Sequence, residues 1–259
     1  FIHSSGSTVN AGTNAWAALM IAISGEKEDS LKVLLAHPDV VSHLHEYQSI
    51  DEILGVRLGE NNNITPLQYA AKIGNEAAIS ILLEHPYGDD ELKSAVSLAA
   101  SNGHLACVQR IYEKSPSIYL AASALSGHED CVKFSIDKLS QDDLNGKCKS
   151  EHEEAIRNAA KIGNDDILKL LLDANPSANV NAQDNSGRTA ISFAIDNKSS
   201  DNGKEKCMRR LLKIDNINPN LADNNGNTPL DNAYSHFMYQ SFGNYPINVA
   251  ALLSSSQVT

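Results

Sequence analysis

Three stretches of this chain share one order of residues: an Asn/Asp-rich turn, a Thr, an aliphatic residue two positions on, and an alanine three beyond that. The order is plainest in Asp223-Asn224-Asn225-Gly226-Asn227-Thr228-Pro229-Leu230-Asp231-Asn232-Ala233. It returns over 184–194, with Gly187, Thr189, Ile191 and Ala194, and over 61–71, with Thr65-Pro66-Leu67 and Ala70-Ala71. Each part has a mechanical reason. Asn, Asp and Gly make a tight turn. Thr caps the helix that follows, and Pro suits the first helical position because its missing N–H would have had no partner there.

A second pattern follows the first. Ala70-Ala71-Lys72-Ile73-Gly74-Asn75 precedes Ile79, Ile81, Leu82 and Leu83. Ala99-Ala100-Ser101-Asn102-Gly103-His104 precedes Cys107, Val108 and Ile111, and Ala159-Ala160-Lys161-Ile162-Gly163-Asn164 precedes Ile167, Leu168, Leu170, Leu171 and Leu172. Paired alanines keep one helix thin enough for close packing, glycine ends it in a left-handed conformation, and the next helix carries an aliphatic stripe at spacings of three and four. Ser123-Ala124-Leu125-Ser126-Gly127-His128 is a weaker copy, and near the start Glu26 stands where the glycine belongs. That first unit reads as a degenerate repeat or an N-terminal cap.

The chain resembles a divergent ankyrin-repeat domain over 14–253, whose unit is about 33 residues with a T-P-L start. The resemblance implies an all-α fold: an ankyrin-repeat solenoid of about seven helix-turn-helix units with short β-hairpin-like turns. Units are expected near 14–37, 61–85, 90–114, 117–138, 150–174, 184–213 and 223–253, between tails 1–13 and 254–259. First helices are expected to start near Ala17, Thr65, Ser94, Ile118, Glu154, Thr189 and Thr228. An insertion over 38–60 has apolar residues of its own and predicts a short extra helix. Only 24 residues separate Gly103 from Gly127, too few for a full hairpin finger there. Two departures stand out: Gln68, Ser192 and Asp231 occupy the place of the family's histidine, and proline recurs between units at Pro38 and Pro86. The mixture of near-consensus and degenerate units, rich in Asn, Lys and Ile, is similar to ankyrin proteins that intracellular bacteria deliver into host cells.

Composition narrows the function. Aromatic residues make up 5% of the chain, so small aliphatic side chains must dominate the core. A net charge of −11 opposes general binding to nucleic acid, which requires a basic face. No apolar run approaches the roughly 18–20 residues of a membrane span. The segment shows no secretory signal, although the chain opens on Phe1 rather than Met and an upstream segment stays open. Four cysteines without a C-x-x-C pair suit reduced thiols in a cytoplasmic setting, or the host cytosol for a delivered effector.

No segment carries a complete catalytic or metal-binding pattern. His43-x-His45 with His37 lacks the ligands of a structural zinc site, and Glu151-His152-Glu153-Glu154 has Ile156 where a metalloprotease helix needs its second His. Cys107 and Cys131 stand four residues after their glycines, where Ala78 and Ile167 stand in sister units, so they read as core. Cys148 and Cys207 fall outside that position and lack an activating motif. The cluster Lys198, Lys204, Lys206, Arg209, Arg210 and Lys213 reads as a solvated helix face, with an anionic partner as the alternative. No phosphate loop, dinucleotide fingerprint or nucleophile elbow is present. No catalytic residue, metal or cofactor is therefore expected.

The expectation is a monomeric, non-catalytic scaffold or adaptor that holds a protein, with no nucleic-acid, membrane or small-molecule partner. The alternative is the recognition module of a larger effector enzyme. The resemblance implies a binding face of finger tips and first helices. Its tips are Asn61, Asn62 and Ile64; Asn185, Ser186 and Arg188; and Asn224, Asn225 and Asn227. Its first-helix positions are Lys72 and Ile73, Ser101 and Asn102, Leu125 and Ser126, Lys161 and Ile162, and Asp196 and Asn197.

Overall fold

A computed structural model of the chain describes residues 8–45, 48–49, 63–114, 120–195 and 202–232. The chain forms two compact units, 1–117 and 118–259.

In the first unit, α1 (Thr8–Ser24), α4 (Pro66–Ile73) and α6 (Asp89–Ser101) form a row of first helices, each packed on the next. Their partners α2 (Glu28–Leu35), α5 (Glu76–Leu82) and α7 (Leu105–Lys114) form a second row. Trp16, Leu19, Leu31, Leu67, Ile79, Leu82 and Ile111 fill the space between. The insertion contributes the expected short helix, α3 (Pro38–Val41), and a strand, β1 (Gln48–Ser49). That strand pairs antiparallel with β2 (Asn63–Ile64), Gln48 opposite Ile64. The second unit repeats the plan with α8 (Leu120–Ser126), α11 (Lys149–Ile162) and α13 (Ala190–Ile195) against α9 (Glu129–Asp137), α12 (Asp165–Ala174) and α14 (Asn202–Leu211). A short α10 (Gln141–Asn145), which no repeat pattern announces, seats Leu144 in the core. A seventh first helix is under way at residues 229–232, and the expected later part of that unit and the tail 254–259 lie outside the described residues.

Three first helices begin well before their expected starts at Ala17, Ser94 and Glu154. Helix α1 starts at Thr8, inside the segment expected as a tail, α6 at Asp89 and α11 at Lys149. The reason is burial one turn upstream of the alanine pair. Leu92, Ala95 and Val96 are buried in α6, and His152, Ala155 and Ile156 in α11. In α6, Asp89, Asp90 and Glu91 also sit in the first turn, where the helix dipole favours them. His152 is 1% exposed, its Nε2 is 3.0 Å from the Leu171 carbonyl, and burial holds its imidazole below the usual histidine range.

The joint between paired helices is built alike in both units. Gly74 and Gly163 end α4 and α11 with φ of 79° and 75°, the left-handed region that a side chain resists. In the first repeat the corresponding residue is Glu26, the one non-glycine residue with positive φ (52°) among those described. After each glycine comes an asparagine that works twice. Asn75 Oδ1 accepts the N–H of Ala78 at 2.9 Å, capping α5, while its Nδ2 donates to the Ile23 carbonyl of the preceding repeat at 2.8 Å. Asn164 does the same for Ile167 at 3.0 Å and for the Gly127 carbonyl at 3.3 Å.

Candidate partner-binding surfaces

The finger tips of the second unit are held by backbone and amide hydrogen bonds. The Asp184 N–H donates to the Arg188 carbonyl at 2.9 Å and the Asp223 N–H to the Asn227 carbonyl at 2.8 Å, closing two equivalent turns. The turns touch. Asn224 donates from its backbone to the Ser186 carbonyl at 3.0 Å and from Nδ2 to the Asn185 carbonyl at 2.8 Å. Gln183 bridges them as well, donating to the carbonyls of Gly187 and Ala222 at 2.7 and 2.9 Å. Asn224 thus stacks one finger against the next while staying exposed, as the Asn185, Ser186 and Asn225 side chains are. Asn227, half-buried, donates its N–H to Asp223 Oδ1 at 3.0 Å.

Arg188 leaves the tip and lies over Phe193 on α13, its guanidinium carbon 4.2 Å from the ring centre, with Asp184 3.3 Å away. Lys161 on α11 approaches the same ring at 5.9 Å. Two cations thus approach one aromatic ring, whose faces favour positive charge electrostatically. Nearby on the first-helix row, Leu125 is 41% exposed and Ile162 is half-buried, its Cδ1 facing Gly127. Ser126 turns inward instead: its hydroxyl donates to the Ser123 carbonyl at 2.6 Å and accepts the His128 N–H, closing the joint. Asp196 and Asn197 lie outside the described residues.

In the first unit, Ile73 is 39% exposed beside half-buried Lys72, and Ser101 and Asn102 are exposed on α6. The Asn102 amide is engaged by the Leu98 carbonyl at 2.8 Å. Ile64 corrects its expected place at an exposed tip. It is 9% exposed, because the insertion strand β1 pairs with it and the side chain turns into the core. Asn61 and Asn62 lie outside the described residues. The insertion is also clasped to α6, where His45 Nδ1 lies 2.8 Å from Glu91 Oε2 and the ring stands edge-on to Tyr87 at 5.0 Å. Among the described residues, no group of three or more His, Cys, Asp or Glu could hold a metal ion.

All four cysteines are free and buried. Burial and the nearby Glu76 carboxylate push the Cys107 thiol up to about 11, away from nucleophilic use at neutral pH. Cys207 corrects its sequence assignment, because it occupies the same core position as Cys107. Each stands three residues before an arginine that reaches back to the acid two residues after the preceding repeat's glycine: Arg110 to Glu76 at 3.1 Å, Arg210 to Asp165 at 2.6 Å. The insertion ahead of α14 hid that register. Hydrogen bonds from Arg210 hold the Asp165 carboxyl below the ordinary range.

The family profile for ankyrin repeats (3 copies) matches twice, over residues 38–122 and 118–202. The chain belongs to the ankyrin-repeat family. Among solved structures, the human ASB11 ankyrin repeat domain is 19% identical, with 91% of this chain and 96% of that chain covered at a TM-score of 0.56. The ankyrin repeat domain of Bcl-3, described as a unique member of the IkappaB protein family, is 18% identical, with 92% and 98% covered at a TM-score of 0.51. At such identities the likeness concerns the fold. No curated protein sequence matches the chain.

The ankyrin frame also explains the missing histidines. Gln68 Oε1 accepts the Thr65 N–H at 3.0 Å while Thr65 Oγ1 accepts the Gln68 N–H at 3.3 Å, a capping box. Ser192 closes the same loop on Thr189 at 3.3 Å, and Asp231 on Thr228 at 2.9 Å. Any side chain that offers an acceptor at this position keeps the cap. Ankyrin repeats as a class are protein-interaction modules that use an extended surface rather than a pocket. No helix among the described residues is long and apolar enough to cross a membrane.

Proposed function

We propose that this ankyrin chain is a non-catalytic scaffold or adaptor, and that it holds a protein partner through its first helices and finger tips. The observation that carries the proposal is where apolar surface remains. Of the four exposed large apolar side chains among the described residues, Ile21, Ile73 and Leu125 lie on first helices, where each repeat's own core does not use them. Beside them stand Lys72 in one unit, and in the other Lys161 and Arg188 over Phe193. Apolar anchors ringed by polar and cationic groups are what a protein interface recruits, with a minority of residues supplying most of the energy. Four buried, reduced thiols agree with work in the cytoplasm.

The test is affinity capture from cell extract, followed by quantitative mass spectrometry, with wild type and a variant carrying Lys72→Glu, Lys161→Glu and Arg188→Glu. A set of proteins recovered by wild type and lost by the equally folded variant is expected. Equal recovery of every protein removes the first-helix surface as the binding site.

A further inference from the structure

Of the basic cluster in the sequence, Lys204, Lys206, Arg209 and Arg210 lie on second helix α14 and Lys213 in the turn after it, rather than on the first helices, while Lys198 lies outside the described residues. Lys206, Arg209, Arg210 and Lys213, together with Asp165 of α12, line an open depression of about 250 Å³. Four cations and one carboxylate make it strongly positive on a chain whose net charge is −11.

Arg210 has a structural duty, since its bond to Asp165 repeats the Arg110–Glu76 pair. The others do not. The buried residues Ala78, Cys107, Cys131, Ile167 and Cys207 mark one register position in five second helices. One residue earlier stand Ala77, Ala106, Asp130 and Asp166, but Lys206 in α14. Six residues later stand Glu84, Glu113, Asp137 and Asp173, but Lys213. Four repeats hold an acid at that last position and α14 alone reverses it, so the repeat frame does not require these cations. Helix-dipole stabilisation accounts for Lys213 near a C-terminus, but not for Lys206 in the N-terminal half of α14.

Neutralisation from within the chain is limited. Arg209 holds Glu205 at 2.7 Å, Asp173 acts on Arg210 electrostatically, and Asp165, already bonded to Arg210, also attracts Lys206. Lys206 and Lys213 enter no ion pair among the described residues and are exposed. Residues 232–259 contain neither Asp nor Glu, so that part of the seventh repeat brings no acidic side chain to them.

We propose that this depression is a second docking site, which binds an acidic segment of a partner protein in extended form. The shape of the charge favours a string of carboxylates over one compact phosphate. Lys206 and Arg209 share one face of α14 at i and i+3, and Lys213 stands in the turn just past Leu211, so the outer two are seven residues apart, roughly 10 Å at a rise of about 1.5 Å per residue. Carboxylates two or three residues apart on an extended chain, at about 3.3 Å per residue, span that line. The Asp165 carboxylate on the wall opposes a compact dianion more than it opposes separated single charges.

The experiment is fluorescence anisotropy of a dye-labelled octaglutamate peptide with the whole chain. Saturable binding is expected at low salt, weakening steeply as ionic strength rises toward ~0.5 M. Lys206→Glu with Lys213→Glu should weaken it about ten-fold or more, and Lys206→Gln with Lys213→Gln by less, both with unchanged melting; a control with equal charge change, Lys27→Glu with Lys32→Glu, should stay within about two-fold. Equal loss in the control would overturn the proposal, because attraction would then be general. No saturable binding would also overturn it, as would displacement of the peptide by inorganic phosphate at lower concentration than by unlabelled octaglutamate. The first-helix variant Lys72→Glu, Lys161→Glu and Arg188→Glu should still bind the peptide, which separates this site from the surface proposed above.

Discussion

The same hexapeptide, Ala-Ala-Lys-Ile-Gly-Asn, occurs at 70–75 in one unit and at 159–164 in the other, and the two copies behave alike only in part. The joint is the same: left-handed glycine, double-duty asparagine, then an acid that pairs with an arginine from the next repeat. The surface differs. The His104 ring packs on Gly74, its Nε2 3.2 Å from the Lys72 carbonyl, and Ile73 is 39% exposed. In the other copy Lys161 reaches toward Phe193, and Ile162 is half-buried facing Gly127. Six residues therefore fix how two helices join, while neighbouring repeats decide what the joint presents to a partner.

The largest expected effect tests the neighbours. A Cβ at Gly74 would meet the His104 ring at 2.5 Å, whereas one at Gly127, at nearly the same φ, meets only Ile162 Cδ1 at 3.7 Å. Gly127→Ala should cost about 1 kcal/mol from backbone strain, and Gly74→Ala roughly 2–3 kcal/mol, measured by urea unfolding. Equal losses would mean that the His104 contact contributes nothing. Next, Asn75→Ala and Asn164→Ala should each cost about 1–2 kcal/mol, with Asn75 the larger because both its bonds are shorter. A reversed order would break the equivalence of the two joints. In the opposite direction, Glu26→Gly should stabilise the first unit by about 1 kcal/mol, read as a rise in its urea midpoint, since Glu26 holds the glycine's φ without being glycine.

The smallest effect concerns the repeated ion pair. Arg210→Ala should cost about 1 kcal/mol and Arg110→Ala less, because the Glu76–Arg110 pair is about half exposed at both ends. Asp165 titrates below its ordinary value when folded, so its contribution is complete above the unfolded carboxylate pKa of about 3.9 and is lost as pH falls through the folded value. The melting temperatures of wild type and Arg210→Ala should therefore converge as the pH falls through the folded Asp165 value; a constant gap would assign the stabilisation to packing.

Much of this fold was legible because turn chemistry and core periodicity are local. Thr65-Pro66-Leu67, the alanine pairs and the inter-helix glycines each announce their own conformation within a few residues. What escaped is non-local or masked by insertion. Helix α10 escaped because 139–148 has no periodicity of its own; Cys207, because extra residues ahead of α14 broke the count from the preceding glycine. Of the expected binding residues, exposure was legible at Ile73, Leu125, Asn185 and Asn224, but the burial of Ile64 depends on a strand contributed by an insertion, and the hydrogen bonds of Asn224 on a finger 39 residues away. No window of sequence holds both partners of either contact.

The buried cysteines have a use that their chemistry does not suggest. Cys107 lies in one unit, and Cys131, Cys148 and Cys207 are spread over three repeats of the other, each no more than 1% exposed. Under native conditions a thiol reagent can reach each one only while its own repeat is open. The four labelling rates would therefore serve as four clocks, showing where along the array opening begins and whether a bound partner slows its own neighbourhood alone.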